Sequence, residues 1–223
     1  MTIVLRHHFE VSDVRLGRHI AHDPRSRDFP AEVAPVSSIH WHRHVPIFDQ
    51  GQLGSCTGNA AAGCMSTGPF AHRLTEADAV SIYSQATHID GIRGIYPPTD
   101  TGSNGLAVMK ACQRRGWITS YKHAFGIDHV LGALMLGPAV TGIAWLSGCD
   151  DPDDEGIVRY RGTVRGGHEI ELVGYDHVRG LLRFANSWGP SWGKNGFFYM
   201  SAEDYSAALK NFGDVTFPAP PAA

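Results

Sequence analysis

Several things are missing from this sequence of 223 residues, and each absence narrows what the chain can do. No charge of one sign dominates: 19 lysines and arginines stand against 22 aspartates and glutamates, a formal net charge of −3. That leaves no basic footprint for nucleic acid or an anionic membrane. No apolar run approaches the ~20 residues that span a bilayer. The N-terminal IVL is broken at once by Arg6, His7 and His8, so there is no signal-peptide apolar region, and a cytoplasmic, reducing setting is expected. The four cysteines, Cys56, Cys64, Cys112 and Cys149, form no C-x-x-C pair. This argues against a thiolate zinc site and leaves the thiols free.

What is present is glycine and proline, 26 and 13 of them, which favours a loop-rich α+β fold over a helical bundle. Residues 1–40 are polar and without sustained periodicity, and read as an extended arm. Helices are expected at 57–67, at 76–89 with Ala79, Ile82, Tyr83 and Ala86 on one face, and over LAVMKACQRR, closed by Gly116 just past its end. From residue 138 the pattern turns to short strand-like runs: PAVTGIAWL, IVRYRGTV, HEIELVGYD, LLRFANSW and GFFYMS. The tail from 218 to 223 is expected to be disordered.

The chemistry concentrates in three stretches. In DQGQLGSC, residues 49–56, a Gly-rich loop delivers Cys56 to the start of a helix, where the dipole favours a thiolate. In GGHEIELVGYD, His168 opens a strand and supplies the missing base. In NSWGPSWGKNGFF, Asn186 ends another strand where it can orient that imidazole, Trp188 can cover the pair from water, and Trp192 reads as core. Other features are weaker. Cys64 and Cys112 read as core thiols, and Cys149 as incidental. The H-x-H of His42 and His44 lacks the carboxylates a metal site needs, and DDPDDEG lacks the terminal glutamate of a calcium loop.

Taken in order, the three blocks resemble those of the papain-like cysteine peptidases, and the resemblance spans about residues 40–201. It implies a two-lobed α+β fold, with a helical lobe over about 45–130, an antiparallel barrel-like β lobe over about 131–217, and the active-site cleft between them. It assigns Cys56 as nucleophile, held as a thiolate against protonated His168. Asn186 orients the imidazole, and Gln50 donates to the oxyanion beside the Cys56 N–H. Gly105, Leu106, Gly167 and Trp188 become the expected substrate contacts. No metal or organic cofactor is implied, a peptide or protein is the expected partner, and a monomer is expected.

The departures are informative. Leu53 and Ser103 stand where many relatives carry a disulfide, so both halves of that bridge are replaced together. DQGQLGSCTGNA and DPRSRDFP look more like a bacterial branch of the family. The stretch ahead of Gln50 is too short for the usual inhibitory pro-domain, so residues 1–40 are expected to be either a short pro-segment across the cleft or a permanent belt. The reading is a cysteine endopeptidase working through a thioester on Cys56. Two alternatives share the site residues: an amide-forming acyltransferase and a catalytically silent peptide-binding homologue.

Overall fold

The N-terminal forty residues divide into two stretches with different attachments. A computed structural model of the chain describes residues 5–70 and 72–221. In it β1 (Leu5–His7) pairs antiparallel with β2 (Ile20–His22), and a single 3₁₀ turn follows at Pro24–Asp28. From there the chain runs as a belt, with backbone bonds from Ala31 to His123 and from Ala34 to Gly132. The Trp41 indole donates to the Leu134 carbonyl. The belt contains β3 (Ile39–His40). Residues 29–41 form the belt, and the stretch before β2 crosses between the lobes.

Helix α1 (Cys56–Met65) is buried along its whole length, which its small residues make possible. It packs against α2 (Glu76–Thr87), which begins with a reciprocal capping box: Thr75 Oγ1 accepts from the Asp78 N–H, and Asp78 Oδ2 from the Thr75 N–H. The expected face of α2, Ala79, Ile82, Tyr83 and Ala86, is buried. Helix α3 (Gly105–Arg114) is capped by Asn104 and ends at Gly116, whose φ of +72° is the left-handed turn that glycine accommodates best. Met65, Ile82, Val108, Met109 and Cys112 fill the core of this wall.

The second wall is a sheet of β4 (Ser120–His123), β5 (Ala139–Leu146), β6 (Val164–Asp176), β7 (Leu181–Ala185), β8 (Phe197–Ser201) and β9 (Asp214–Ala219). Their order is β4-β9-β5-β6-β7-β8, with β3 attached to the C-terminal end of β6. Two helices the periodicity does not reveal complete it, α4 (Ile127–Leu134) and α5 (Ala202–Lys210). The core here gathers Trp145, Phe184, Phe198, Tyr205 and Leu172.

Three expectations need correction. IVRYRGTV is not a strand: its backbone folds onto the 147–148 turn, through Gly148 N–H to Arg161 and Arg159 N–H to Gly148, and the ladder begins only at Val164. The tail is ordered further than expected, because Pro218 and Ala219 pair with Tyr121 and Ser120; residues 222–223 lie outside the described residues. That same pairing draws β4, from the helical half, into the β sheet, so the lobe boundary is not at 130.

A buried charge cluster ties the lobes together. Arg43 Nη1 meets Glu171 Oε2 on β6 at 2.5 Å, and Thr67 Oγ1, just past α1, donates to Glu171 Oε1 at 2.5 Å. Burial raises the Glu171 carboxyl, and the Arg43 charge opposes that rise. Removing one member strands the other in a dry site. Arg43→Met should therefore lower the unfolding free energy by about 3–5 kcal/mol in urea titration. Adding Glu171→Leu should recover most of the loss.

Candidate active site

The loop 49–55 is held at both ends. The Asp49 N–H donates to Glu76, the Gln50 N–H to the Ser187 carbonyl, and the Gly54 N–H to Asp100. Cys56 is thereby fixed as the first residue of α1, with its thiol fully buried. Backbone hydrogen bonds reach the sulfur from Glu169 on β6 and from Gly17 of the N-terminal arm. The sulfur thus marks the point where the helical wall, the sheet wall and the arm meet.

His168 precedes Glu169 on β6, opposite Ile143 of β5. Its ring is enclosed by two indoles, Trp145 and Trp188, each with its centroid 4.9 Å away. Nε2 lies 2.8 Å from Asn186 Oδ1, which also accepts the Ser187 backbone N–H at 2.8 Å. That second donor is unambiguous, so the shared atom is oxygen and His168 Nε2 must carry a proton. In the neutral ring Nδ1 is then the bare nitrogen, and it has no partner among the described residues.

Gln50 is pinned in the same way. Its Oε1 accepts from Ser187 Oγ at 2.6 Å, so its NH₂ group must point the other way, toward the carbonyls of Leu53 at 2.7 Å and Arg15 at 3.0 Å. Arg15 belongs to the arm. Its guanidinium stacks 4.2 Å over the Trp188 ring and pairs with Asp13. The arm then crosses the cleft in extended form. The Gly17 carbonyl accepts from Ser103 N–H at 2.9 Å, Arg18 N–H donates to Gly167 at 3.0 Å, and His19 N–H to Ser103 at 2.7 Å. Gly17 admits no side chain, since a Cβ there would lie 2.1 Å from the Gly54 carbonyl oxygen.

This crossing sets the ionisation of the site. Burial pushes the Cys56 thiol up to about 12, the backbone hydrogen bonds from Glu169 and Gly17 and the Arg18 charge opposing it. Burial likewise drives His168 down to about 4, against the Asn186 hydrogen bond. Burial in the filled cleft thus works against both charged forms, the thiolate and the imidazolium that the family resemblance implies.

Of the expected residues, Gln50, Cys56, His168, Asn186, Gly167 and Trp188 converge on the crossing arm. Gly105 does not supply the pairing backbone. Asn104 caps α3, so the helix consumes Gly105 and Leu106, and Ser103, just ahead of the cap, forms the ladder instead. Gly105 packs behind Glu169, and Leu106 lines a cavity of about 420 Å³ with His22, His123 and Asp214. Ser103 Oγ, in place of a disulfide, bonds Asp90. Residues with no signal in the sequence are Arg15, Gly17, Arg18, Ser103, Glu169 and Trp145.

The thiol opens a buried helix on one wall and the Asn-tethered imidazole stands on the β wall, an arrangement of two walls about a filled cleft. Comparison with known proteins agrees. The sequence model described as the papain family cysteine protease matches residues 143–213. Cathepsin B-like CP1 of Giardia intestinalis is 28% identical over 192 residues, 69% of this chain and 62% of that protein. Cathepsin B-like CP2 of the same organism is 37% identical over 90 residues, 37% of this chain and 29% of its own length. The chain thus spans less than two thirds of these curated relatives. Xylellain, a cysteine protease from Xylella fastidiosa, superposes with a TM-score of 0.62 at 20% identity, over 96% of this chain and 94% of that one. The digestive procathepsin L 3 of Tenebrio molitor gives 0.65 at 16% identity, over 93% and 77%. In fold the chain is papain-like, and over residues 143–213 its sequence matches the papain family.

Because Gly17 fits only without a side chain, Gly17→Ala should lift the arm from the sulfur. Alkylation of Cys56 by iodoacetamide, mapped by mass spectrometry, should quicken at least about tenfold relative to the unaltered chain, while buried Cys64 and Cys112 stay unmodified. An unchanged rate would mean that the arm does not shield the thiol.

Proposed function

We propose that this chain hydrolyses peptide bonds through a thioester on Cys56, and that it is latent while residues 13–19 occupy the cleft. The observation that carries the reading is the asymmetry of His168. One nitrogen is tethered to Asn186 and protonated, and the other is bare, which is the state a general base needs beside a thiol at a helix start. Once a substrate replaces the arm, His168 takes the Cys56 proton through Nδ1. The thiolate attacks the scissile carbonyl, and the imidazolium returns the proton to the departing amine. Water, deprotonated by the same nitrogen, then releases the acid.

Gln50 supports the second part of this chemistry. Its NH₂ already holds a peptide carbonyl, that of Arg15, in the place of the developing oxyanion, and Ser187 keeps the amide from turning. The arm itself lies in a register that presents an N–H to the sulfur. Gln50 grips the Arg15 carbonyl, the Gly17 N–H points at the thiol, and the Gly17 carbonyl is turned to Ser103. A filled cleft of this kind blocks substrate without being cut at the contact.

The test uses a fluorogenic peptide library and the full chain carrying Gly17→Ala. Adding Cys56→Ala should abolish cleavage, and adding Gln50→Ala should reduce it by about 10²–10³. Cleavage that survives Cys56→Ala would remove the nucleophile assignment. Intact-mass measurement during turnover of the unaltered chain reads the fate of the arm: loss of its N-terminal residues as activity appears is expected, and full activity at unchanged mass would show that the arm is not a barrier.

A further inference from the structure

The four thiols of this chain are free, so no covalent link joins the loop before Cys56 to the stretch that pairs with the arm. Two side chains make that joint instead. Tyr83, on α2, is fully buried. Its hydroxyl donates to Asp100 Oδ1 at 2.5 Å and accepts the Gly102 N–H at 2.9 Å. Asp100 Oδ2 accepts the Gly54 N–H at 2.8 Å. A continuous line of hydrogen bonds thus runs from Gly54 through Asp100 and Tyr83 to Gly102. Burial raises the phenol above its ordinary range, and the Asp100 hydrogen bond acts in the same sense, so the hydroxyl stays protonated and donating.

Gly54 and Gly102 are backbone positions of the helical wall against which the arm lies. A Cβ on Gly17 would lie 2.1 Å from the Gly54 carbonyl oxygen, and a Cβ on Gly102 would lie 2.1 Å from the Gly17 carbonyl oxygen. Gly54 belongs to the loop that runs from Gln50 to Cys56. Gly102 precedes Ser103, whose backbone pairs with Gly17 and His19. The spacing of the two glycines therefore sets both the oxyanion loop and the pairing residue. The stretch leading to Asp100 is itself fastened to α2: Ser84 Oγ donates to the Tyr96 carbonyl at 2.6 Å, and Thr87 Oγ1 accepts the Tyr96 N–H at 3.0 Å. A site gains precision when the groups that touch the reactants are held by others that are themselves locked in place.

We propose that Tyr83 and Asp100 are positioning residues of the peptide channel, Asp100 placing the loop that carries Gln50 and Cys56, and Tyr83 placing Ser103 for pairing with a substrate backbone. Both act through the backbone amides they hold. The proposal rests on the peptidase reading above.

The experiment measures kinetics in the full chain carrying Gly17→Ala, on a peptide amide long enough to pair with Ser103 and on p-nitrophenyl acetate, which is too short to reach it. Adding Tyr83→Phe should lower kcat/KM for the peptide at least about tenfold more than for the ester, with most of the loss in KM, as expected when one hydrogen bond is removed. Adding Asp100→Ala should slow the ester as well, since the Gly54 N–H loses its acceptor. Asp100→Asn, which keeps one acceptor oxygen, should recover part of that rate. Parallel loss on both substrates in Tyr83→Phe, or no loss on either, would overturn the positioning role. Hydrogen exchange at the Gly54 and Gly102 amides, resolved by NMR in the same chains, reads the bridge without activity. Tyr83→Phe should speed exchange at Gly102 at least about tenfold while the amides of α3 hold, and unchanged exchange would overturn the bridge. Peptide cleavage that survives Cys56→Ala would instead sink the peptidase reading, and the positioning role with it.

Discussion

The passage of Gly17 between the two walls is the contact on which the rest of the site depends. At that point the Gly54 carbonyl leaves no room for a Cβ, the Gly17 N–H meets the sulfur, and its carbonyl meets Ser103. Both lobes converge on one extended strand of the chain's own arm. Water is excluded from the thiol and the imidazole as a result, and burial then dominates their ionisation: the thiol is held up and the imidazole down. Charge separation between Cys56 and His168 is suppressed without any change in the catalytic residues. A plug of this kind switches chemistry through solvation as well as by occupying space.

Arg18 links the plug to the wall behind it. Its guanidinium joins Asp214 on β9 to Glu169 on β6, and Glu169 also gives its backbone N–H to the Cys56 sulfur. Anchoring of the arm, pairing of the buried Glu169 and the part-exposed Asp214, and the environment of the thiol therefore share one residue. The Arg43–Glu171 pair does a different job two residues further along β6, fastening the end of α1 to the sheet whether or not the cleft is filled. Successive inward glutamates on one strand thus serve the cleft and the lobe junction separately.

The sequence exposes some of this and hides the rest for physical reasons. Cys56, Asn186 and Gln50 are legible from a Gly-rich loop and from a strand end before NSWG; His168 is legible from the GGHEIELVGYD pattern, although its strand already begins at Val164. The α2 and α3 helices are legible from their spacing and from Gly116. The register at Ser103 is not, since nothing in GSNG tells where extended chain gives way to helix; Asn104 settles it by capping α3. IVRYRGTV has the composition of a strand, yet turns onto its neighbour. Arg18 in VRLGRH reads as a solvated cation in a polar arm. Its burial arises only where β6 and β9, 45 residues apart in Glu169 and Asp214, come together.

The most direct test of the account is the pH dependence of Cys56 alkylation by iodoacetamide, measured in the unaltered chain and in the chain carrying Arg18→Ala. If the arm keeps the pair neutral by burying it, the unaltered chain reacts at Cys56 only as pH climbs toward the thiol's value of about 12. The variant should then react from mildly acidic pH upward, as a thiolate paired with an imidazolium does. Superimposable profiles in the two chains, at either end of the range, would contradict the account.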